Sequence, residues 1–202
     1  MKAVLNTPDG PRIAEVADPR PSADEALVAV RAFSINRGEL ALLKTRTHQW
    51  RPGQDVAGVV VEPAADGSGP PPGSRVVTLV EEAGWAELAA APTVRLAPVP
   101  DPVGFEQAAA LPLAGLTALR TLRLGGDLLG QRVLVTGAGG ALGAMPVQLA
   151  VTAGAEVTAV ARPQHDKQLR HQHLRLLRPR RRAAGRLPPT PTPTRPAQTS
   201  PP

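Results

Sequence analysis

The chain has 202 residues, 42% of them hydrophobic, and a net charge of +6, which is length enough to bury a substantial core in one domain or two small ones. It contains no cysteine and no tyrosine, which excludes disulfides, thiolate nucleophiles, cysteine-ligated metals and a tyrosine proton donor. The charge is segmental: residues 1–163 carry 14 Lys and Arg against 16 Asp and Glu, whereas residues 164–202 carry 9 against 1, so the body is near neutral and nucleic acid is an unlikely partner.

No run approaches the ~20 apolar residues of a membrane span. The opening "MKAVLNTPDG" lacks the apolar core of a secretion signal, and the reading is a soluble, cytoplasmic protein without a membrane partner. From Met1 to about Leu96 the chain reads as short β-type runs, "KAVL", "ALVAVRAFSI", "QDVAGVVVE", "SRVVTLV" and "GWAELAAAP". Turn clusters of Pro, Gly and Asp separate them, which suits a small barrel or sandwich. "AADGSGPPPGS" is the clearest loop.

The segment "DPVGFEQAAALPLAGLTALRTLRLGG" is rich in Ala and Leu and reads as two helices. The first is expected to end before Pro112, because the residue before proline is pushed out of the α region. The second is expected from Leu116 to Leu124, with Pro112 and Gly115 as the break. "RVLVTG", "GALGAMPVQLAVTAG" and "AEVTAVA" then read as strand, helix and strand, one βαβ unit. Pro146 falls early in that helix and is expected as a tolerated kink. Beyond Pro163 the periodicity lapses into an Arg- and Pro-rich segment expected to be extended and solvated.

The turn between "VLVT" and the helix carries the clearest chemistry. A pyrophosphate needs backbone N–H groups at close range and the positive end of a helix, and glycines permit both the approach and the dihedrals. Gly137 and Gly139 begin a G-x-G-x-x-G pattern that fails at Leu142. The register Ala138-x-Gly140-x-x-Gly143 fits instead, between a predicted strand and a predicted helix. The alternative is a glycine-rich turn with no ligand. The end of the second strand reads "AVARP", with Arg162 and no acid, which favours NADP(H) over NAD, unless Arg162 is a solvated surface charge.

With these stretches in place, the sequence resembles the medium-chain dehydrogenase/reductase superfamily, and within it the zinc-free quinone-oxidoreductase-like branch. The resemblance rests on "FSINRGEL", "GQDVAGVV", "GWAEL", "FEQAAALPLAGLTALRTL" and the glycine turn, and covers about residues 1–162. It implies an α/β fold with a β-barrel. A GroES-like catalytic domain with interdomain helices would span 1–125, and a partial Rossmann NADP-binding unit 126–163. A disordered basic tail would fill 164–202. The chain is expected to be a member truncated or frameshifted after about residue 162.

The activity implied by lineage is hydride transfer from NADP(H) to a small-molecule quinone or enone, without zinc, and it is expected to be impaired in this chain by loss of most of the Rossmann domain. Gln54 and Asp55 stand where zinc-dependent relatives carry ligands, and a catalytic zinc needs about three protein ligands. By the resemblance Asn36 lies near nicotinamide and substrate, Thr117 touches the cofactor, and Gly137, Ala138, Gly140 and Gly143 line the pyrophosphate. The competing roles are a turn residue for Asn36 and a helix N-cap for Thr117. Asp55 reads as structural, and Trp50 and Trp85 as packing residues. The alternative for the whole chain is a non-catalytic fragment that folds as a GroES-like barrel and associates with other chains, with homo-oligomers among the partners.

Overall fold

The structure is a computed structural model that describes residues 1–46, 49–165, 167, 169 and 174–177. β1 (Lys2–Thr7) and β2 (Gly10–Glu15) form an antiparallel hairpin in register from Lys2 opposite Glu15 to Thr7 opposite Gly10. β3 (Glu25–Phe33), β4 (Asp55–Glu62), β5 (Arg75–Leu79), β6 (Leu88–Pro92) and β7 (Ala97–Pro98) make a five-stranded antiparallel sheet in the order β6-β3-β4-β5-β7.

The central strand β4 reads "DVAGVVVE" because both of its faces are covered. Val56 and Val60 point with Ala26, Val28, Val76 and Ala91 into one core, and Ala57 on the opposite face meets Val99, Ala108 and Ala109. Each of those fully buried valines contributes about 1.5–3 kcal/mol of transfer free energy. Gly53, before β4, has φ +117, and a Cβ there would fall on the backbone of Trp85, so the chain can pass this close only without a side chain.

The closed barrel expected for this unit does not form. The sheet is open, with β6 and β7 as outer strands, and the β1–β2 hairpin is separate, tied through an isolated bridge between Ala3 and Ala86. β7 has only two residues and ends at Pro98, which has no N–H to continue a ladder.

α2 (Phe105–Ala109) covers the sheet, and α3 (Pro112–Arg123) leads away from it. Here the expected boundary moves: α3 begins at Pro112 rather than Leu116. Proline at the first helical position lacks only an N–H that would have no intrahelical partner, so it starts the helix, and Gly115 is carried inside.

β8 (Arg132–Thr136), α4 (Ala141–Thr152) and β9 (Glu156–Val160) form the expected βαβ unit with parallel strands, and α4 runs through Pro146 without interruption. Val135, Val147, Ala150, Val157 and Ala159 form its core. The reading of 164–202 as disordered is corrected in one part. Leu169 is fully buried in this core, and β10 (Arg175–Leu177) pairs parallel with β9. The run "LRL" at 174–176 alternates Leu with Arg, the period of a half-covered strand, a signal hidden by the bulk composition around it. The rest of that segment lies outside the described residues.

Candidate functional site

Two buried carboxylates organise the region around Asn36. Ser34 and Asn36 lie two apart in an extended stretch after β3, so their side chains leave on the same side. Both reach Asp55 at the start of β4, which is fully buried. The Ser34 hydroxyl donates to Asp55 Oδ2 at 2.5 Å and Asn36 Nδ2 donates to the same oxygen at 2.7 Å. The other oxygen, Oδ1, accepts the Leu113 backbone N–H at 2.8 Å. Leu113 is the second residue of α3, so the Asp55 carboxylate sits at the positive end of that helix and satisfies one of its orphan donors.

Asn36 directly precedes α1 (Arg37–Leu42), and the spacing Asn36-x-x-Glu39 places Glu39 at the third helical position. Glu39 turns back: its Oε2 accepts the Asn36 N–H at 2.7 Å and its Oε1 accepts the Gln54 N–H at 2.8 Å. Burial pushes the Glu39 carboxyl above the ordinary glutamate value of 4.5. The hydrogen bonds from Asn36 and Gln54 partly offset that rise, and the neighbouring Asp55 adds to it. Together the two carboxylates clamp residues 34–39, residues 54–55 and the start of α3. Asn36 is therefore no local turn residue; its amide is oriented by a carboxylate nineteen positions on.

Thr117 is not a helix cap. It lies within α3, exposed, four residues after Leu113 and so on the same face. Asp55 thus links the Asn36 amide to the backbone at the start of α3, the helix that carries Thr117. Trp85 is buried, stacks on Phe33 at 6.0 Å between ring centroids and donates its indole N–H to the Ser34 carbonyl at 3.0 Å. It packs and braces the Ser34 strand, as expected of a packing residue.

The glycine turn follows β8. Gly137 has φ +69, and a Cβ on Gly143 would fall on the Gly137 carbonyl. The first turn of α4 therefore sits against the turn's own backbone, an approach that only glycine at 143 allows. Gly137 leaves open space where a side chain would stand, and a Cβ on Gly140 would make an ordinary contact with the Gly137 carbonyl at 3.6 Å. Ala138, by contrast, is buried, and its N–H is spent on the Val160 carbonyl at 3.1 Å. The first two helical residues, Ala141 and Leu142, have N–H groups with no intrahelical acceptor, and sequence reasoning had not named them. The bond from Ala138 to Val160 holds the turn beside the end of β9, where Arg162 is exposed. The ring of His165 lies over Gly139.

A separate cleft of about 830 Å³ opens between β5, α3 and α4, walled by Val77, Leu79, Leu116, Leu119, Met145 and Leu149. None of the predicted site residues lines it. Among the described residues no group of three or more His, Asp or Glu side chains is arranged to hold a metal ion, and no helix is long and apolar enough to cross a membrane.

The chain is similar to several known proteins. Residues 22–101 match the model of the alcohol dehydrogenase GroES-like domain. The trans-enoyl reductase tazE of Aspergillus terreus is 31% identical over 189 residues, covering 81% of this chain and 62% of its own. The chloroplast envelope quinone oxidoreductase homolog of Arabidopsis thaliana is 35% identical over 161 residues, covering 72% of this chain and 49% of its own. The quinone oxidoreductase of Thermus thermophilus, whose structure was also solved with NADPH, superposes with a TM-score of 0.70 at 32% identity, over 82% of this chain and 55% of that one. The chain spans less than two thirds of the length of each of these relatives.

Proposed function

Because the chain belongs to the medium-chain dehydrogenase/reductase superfamily, on its quinone-oxidoreductase-like branch, we propose that it is a zinc-free oxidoreductase that uses NADPH to reduce a quinone or the activated carbon–carbon double bond of an enone or enoyl thioester. The observation that carries this reading is the glycine turn. β8, the turn and α4 read as the first unit of a Rossmann fold. Gly143 is packed on the Gly137 carbonyl, and the open side of the turn meets the free N–H groups at the start of a 12-residue helix, which is the arrangement a pyrophosphate requires.

Bound NADPH would supply the hydride, since the cofactor carries the hard chemistry. The chain's own residues bind and orient. The N–H groups of Ala141 and Leu142 hold the pyrophosphate in the open space beside Gly137, and Arg162 pairs with the 2′-phosphate. In the expected set Ala138 gives place to these backbone donors, its own N–H being engaged. Thr117 borders the nicotinamide from α3. Asn36, with one amide hydrogen fixed on Asp55, presents the rest of its amide to the substrate in a constant orientation. With no tyrosine in the chain, a tyrosine does not supply the proton of the reduced product. We place this activity in the cytoplasm.

Titration with NADPH, followed by cofactor fluorescence, and turnover of a benzoquinone test the reading. Micromolar binding with turnover is the expected result. Absence of NADPH binding refutes it and favours the second reading, a non-catalytic chain that associates with other chains. That reading draws on Leu134, which stands 62% exposed on β8, on the sheet face opposite α4.

A further inference from the structure

We infer that the His165 imidazole is a second contact, beside Arg162, to the 2′-phosphate of NADPH and so sets a preference for NADPH over NADH. The inference rests on the reductase reading, because it concerns the same cofactor site. It starts from Gly139, the glycine of the turn that the pyrophosphate leaves unexplained. Gly137 has a positive φ, and Gly143 packs on the Gly137 carbonyl, whereas Gly139 has neither a positive φ nor a close backbone neighbour. A Cβ built on Gly139 would instead run into Cβ, Cγ and Cδ2 of His165. The position is a glycine because a ring stands where its side chain would be.

Two backbone contacts bring the ring there. The Ala138 N–H bonds the Val160 carbonyl at 3.1 Å, which ties the glycine turn to the end of β9. The His165 N–H bonds the Arg162 carbonyl at 3.0 Å and closes the short 3-10 turn Pro163–His165, which folds the chain leaving β9 back over Gly139. Arg162 and His165 therefore bound one turn at the end of the second strand, the place where a dinucleotide fold meets the 2′ position of the adenosine ribose.

The surroundings of the ring suit an anion. Its carbons rest on Gly139, the residue is half-buried, and among the described residues neither ring nitrogen is hydrogen-bonded or sealed away unpaired. The glycine turn, residues 137–140, and the first turn of α4, residues 141–144, carry no ionisable side chain. On the segment of His165 itself the charged side chains among the described residues are Arg162 and Lys167, both exposed. An imidazole donates from one nitrogen when neutral and from both when protonated, and a phosphate favours the protonated form. The bond to a phosphate is then charge-assisted, whereas a ribose 2′-hydroxyl offers a weaker one, so the contact separates the two cofactors.

The test is titration of the unaltered chain, H165A and H165Q with NADPH and with NADH, followed by cofactor fluorescence. H165A should weaken NADPH by about three- to tenfold, the loss of one partly exposed charge-assisted contact, and leave NADH unchanged. H165Q, which keeps a donor without the charge, should fall between. Thermal unfolding checks the seat of the ring: G139A should lower the unfolding temperature of the parent, and should lower that of H165A by less, because the obstructing ring is gone. Equal weakening of both cofactors in H165A, tighter binding of either, or an equal thermal cost of G139A with and without the ring would each overturn the inference. An unaltered chain that binds no NADPH overturns the reductase reading and this inference together, whereas NADPH binding to which H165A makes no difference overturns this inference alone.

Discussion

Substituting Asn for Asp55 probes the hub that joins the substrate-side loop to α3. The carboxylate is fully buried and receives three donors, from Ser34 at 2.5 Å, Asn36 at 2.7 Å and Leu113 at 2.8 Å. Asparagine keeps the shape but turns one acceptor oxygen into a donor. If its oxygen stays on Leu113, its amide nitrogen faces the Asn36 amide, donor against donor. If its oxygen turns to Ser34 and Asn36, the Leu113 N–H is orphaned at the start of α3. Either way at least one charge-assisted hydrogen bond is lost, and a buried donor is left unmatched in addition. At about 1.5–3 kcal/mol for the first and about 1–3 kcal/mol for the second, with partial relief from rotation of the Ser34 hydroxyl, the substitution should cost about 2–4 kcal/mol. In a chain of this size that lowers the unfolding temperature by about 5–15 °C. Thermal unfolding followed by circular dichroism measures it, and hydrogen exchange at the Leu113 amide should quicken in parallel. An unfolding temperature within about 2 °C of the parent's, with Leu113 exchange unchanged, would show that the three contacts carry no net stability and would refute the hub.

Other substitutions test the remaining parts. Gly143→Ala drives a Cβ onto the Gly137 carbonyl and should cost about 1–3 kcal/mol by overpacking, together with at least tenfold in NADPH affinity by fluorescence titration; full affinity would mean that the turn does not hold the pyrophosphate. Arg162→Ala should weaken NADPH by about tenfold and leave NADH unchanged, the loss expected for one charge-assisted contact, and an equal effect on both cofactors would remove Arg162 from the 2′-phosphate. For Glu39 the sign follows from burial: its folded value lies above the ordinary 4.5, so the folded state binds the proton more tightly and stability falls as pH rises from below 4.5 through the folded value. Urea unfolding of the parent and Glu39→Gln across that range should show the parent losing stability relative to the variant as pH rises, and a constant difference would exclude the titration.

Much of the fold was readable because its signals are local. The alternation in "ALVAVRAF", the double-faced "DVAGVVV" and the strand–glycine–helix order of residues 132–152 each specify an element without help from distant residues. What escaped was set by distance or by neighbours. Whether five strands close into a barrel depends on partners for β6 and β7, and only the brevity of a strand ending at Pro98 hinted that they would have none. Pro112 reads equally as the end of one helix or the first residue of another. In the site, Asn36 was reached through the family resemblance and the glycines through their spacing, whereas a register in sequence cannot tell that the Ala138 N–H is consumed by the end of the neighbouring strand. Ser34 and Glu39 were within reach: one lies two residues before Asn36 in an extended run, the other three residues after it at the spacing of a capping box.

The two buried carboxylates also explain how a site can be rigid here although its residues lie on loops and helix ends. Taken singly, Asn36, Gln54 and Leu113 belong to segments with few backbone partners. Glu39 ties the first to the second through two N–H groups, and Asp55, adjacent to Gln54, ties the first to the third through its two oxygens. Any shift of α3 relative to β4 must break the Leu113 contact, and any rotation of the Asn36 amide must break the contact at Oδ2. Coupling of this kind predicts that lesions at residues 34, 36, 39 and 55 are non-additive, because each removes a constraint whose loss the others share. In the double variant S34A/N36A, Asp55 keeps only the Leu113 N–H, so the second substitution leaves a buried carboxylate nearly bare. Its combined loss should exceed the sum of the single losses by about 0.5–3 kcal/mol, measured by urea unfolding of the three variants, whereas simple additivity would mean that Ser34 and Asn36 serve Asp55 independently.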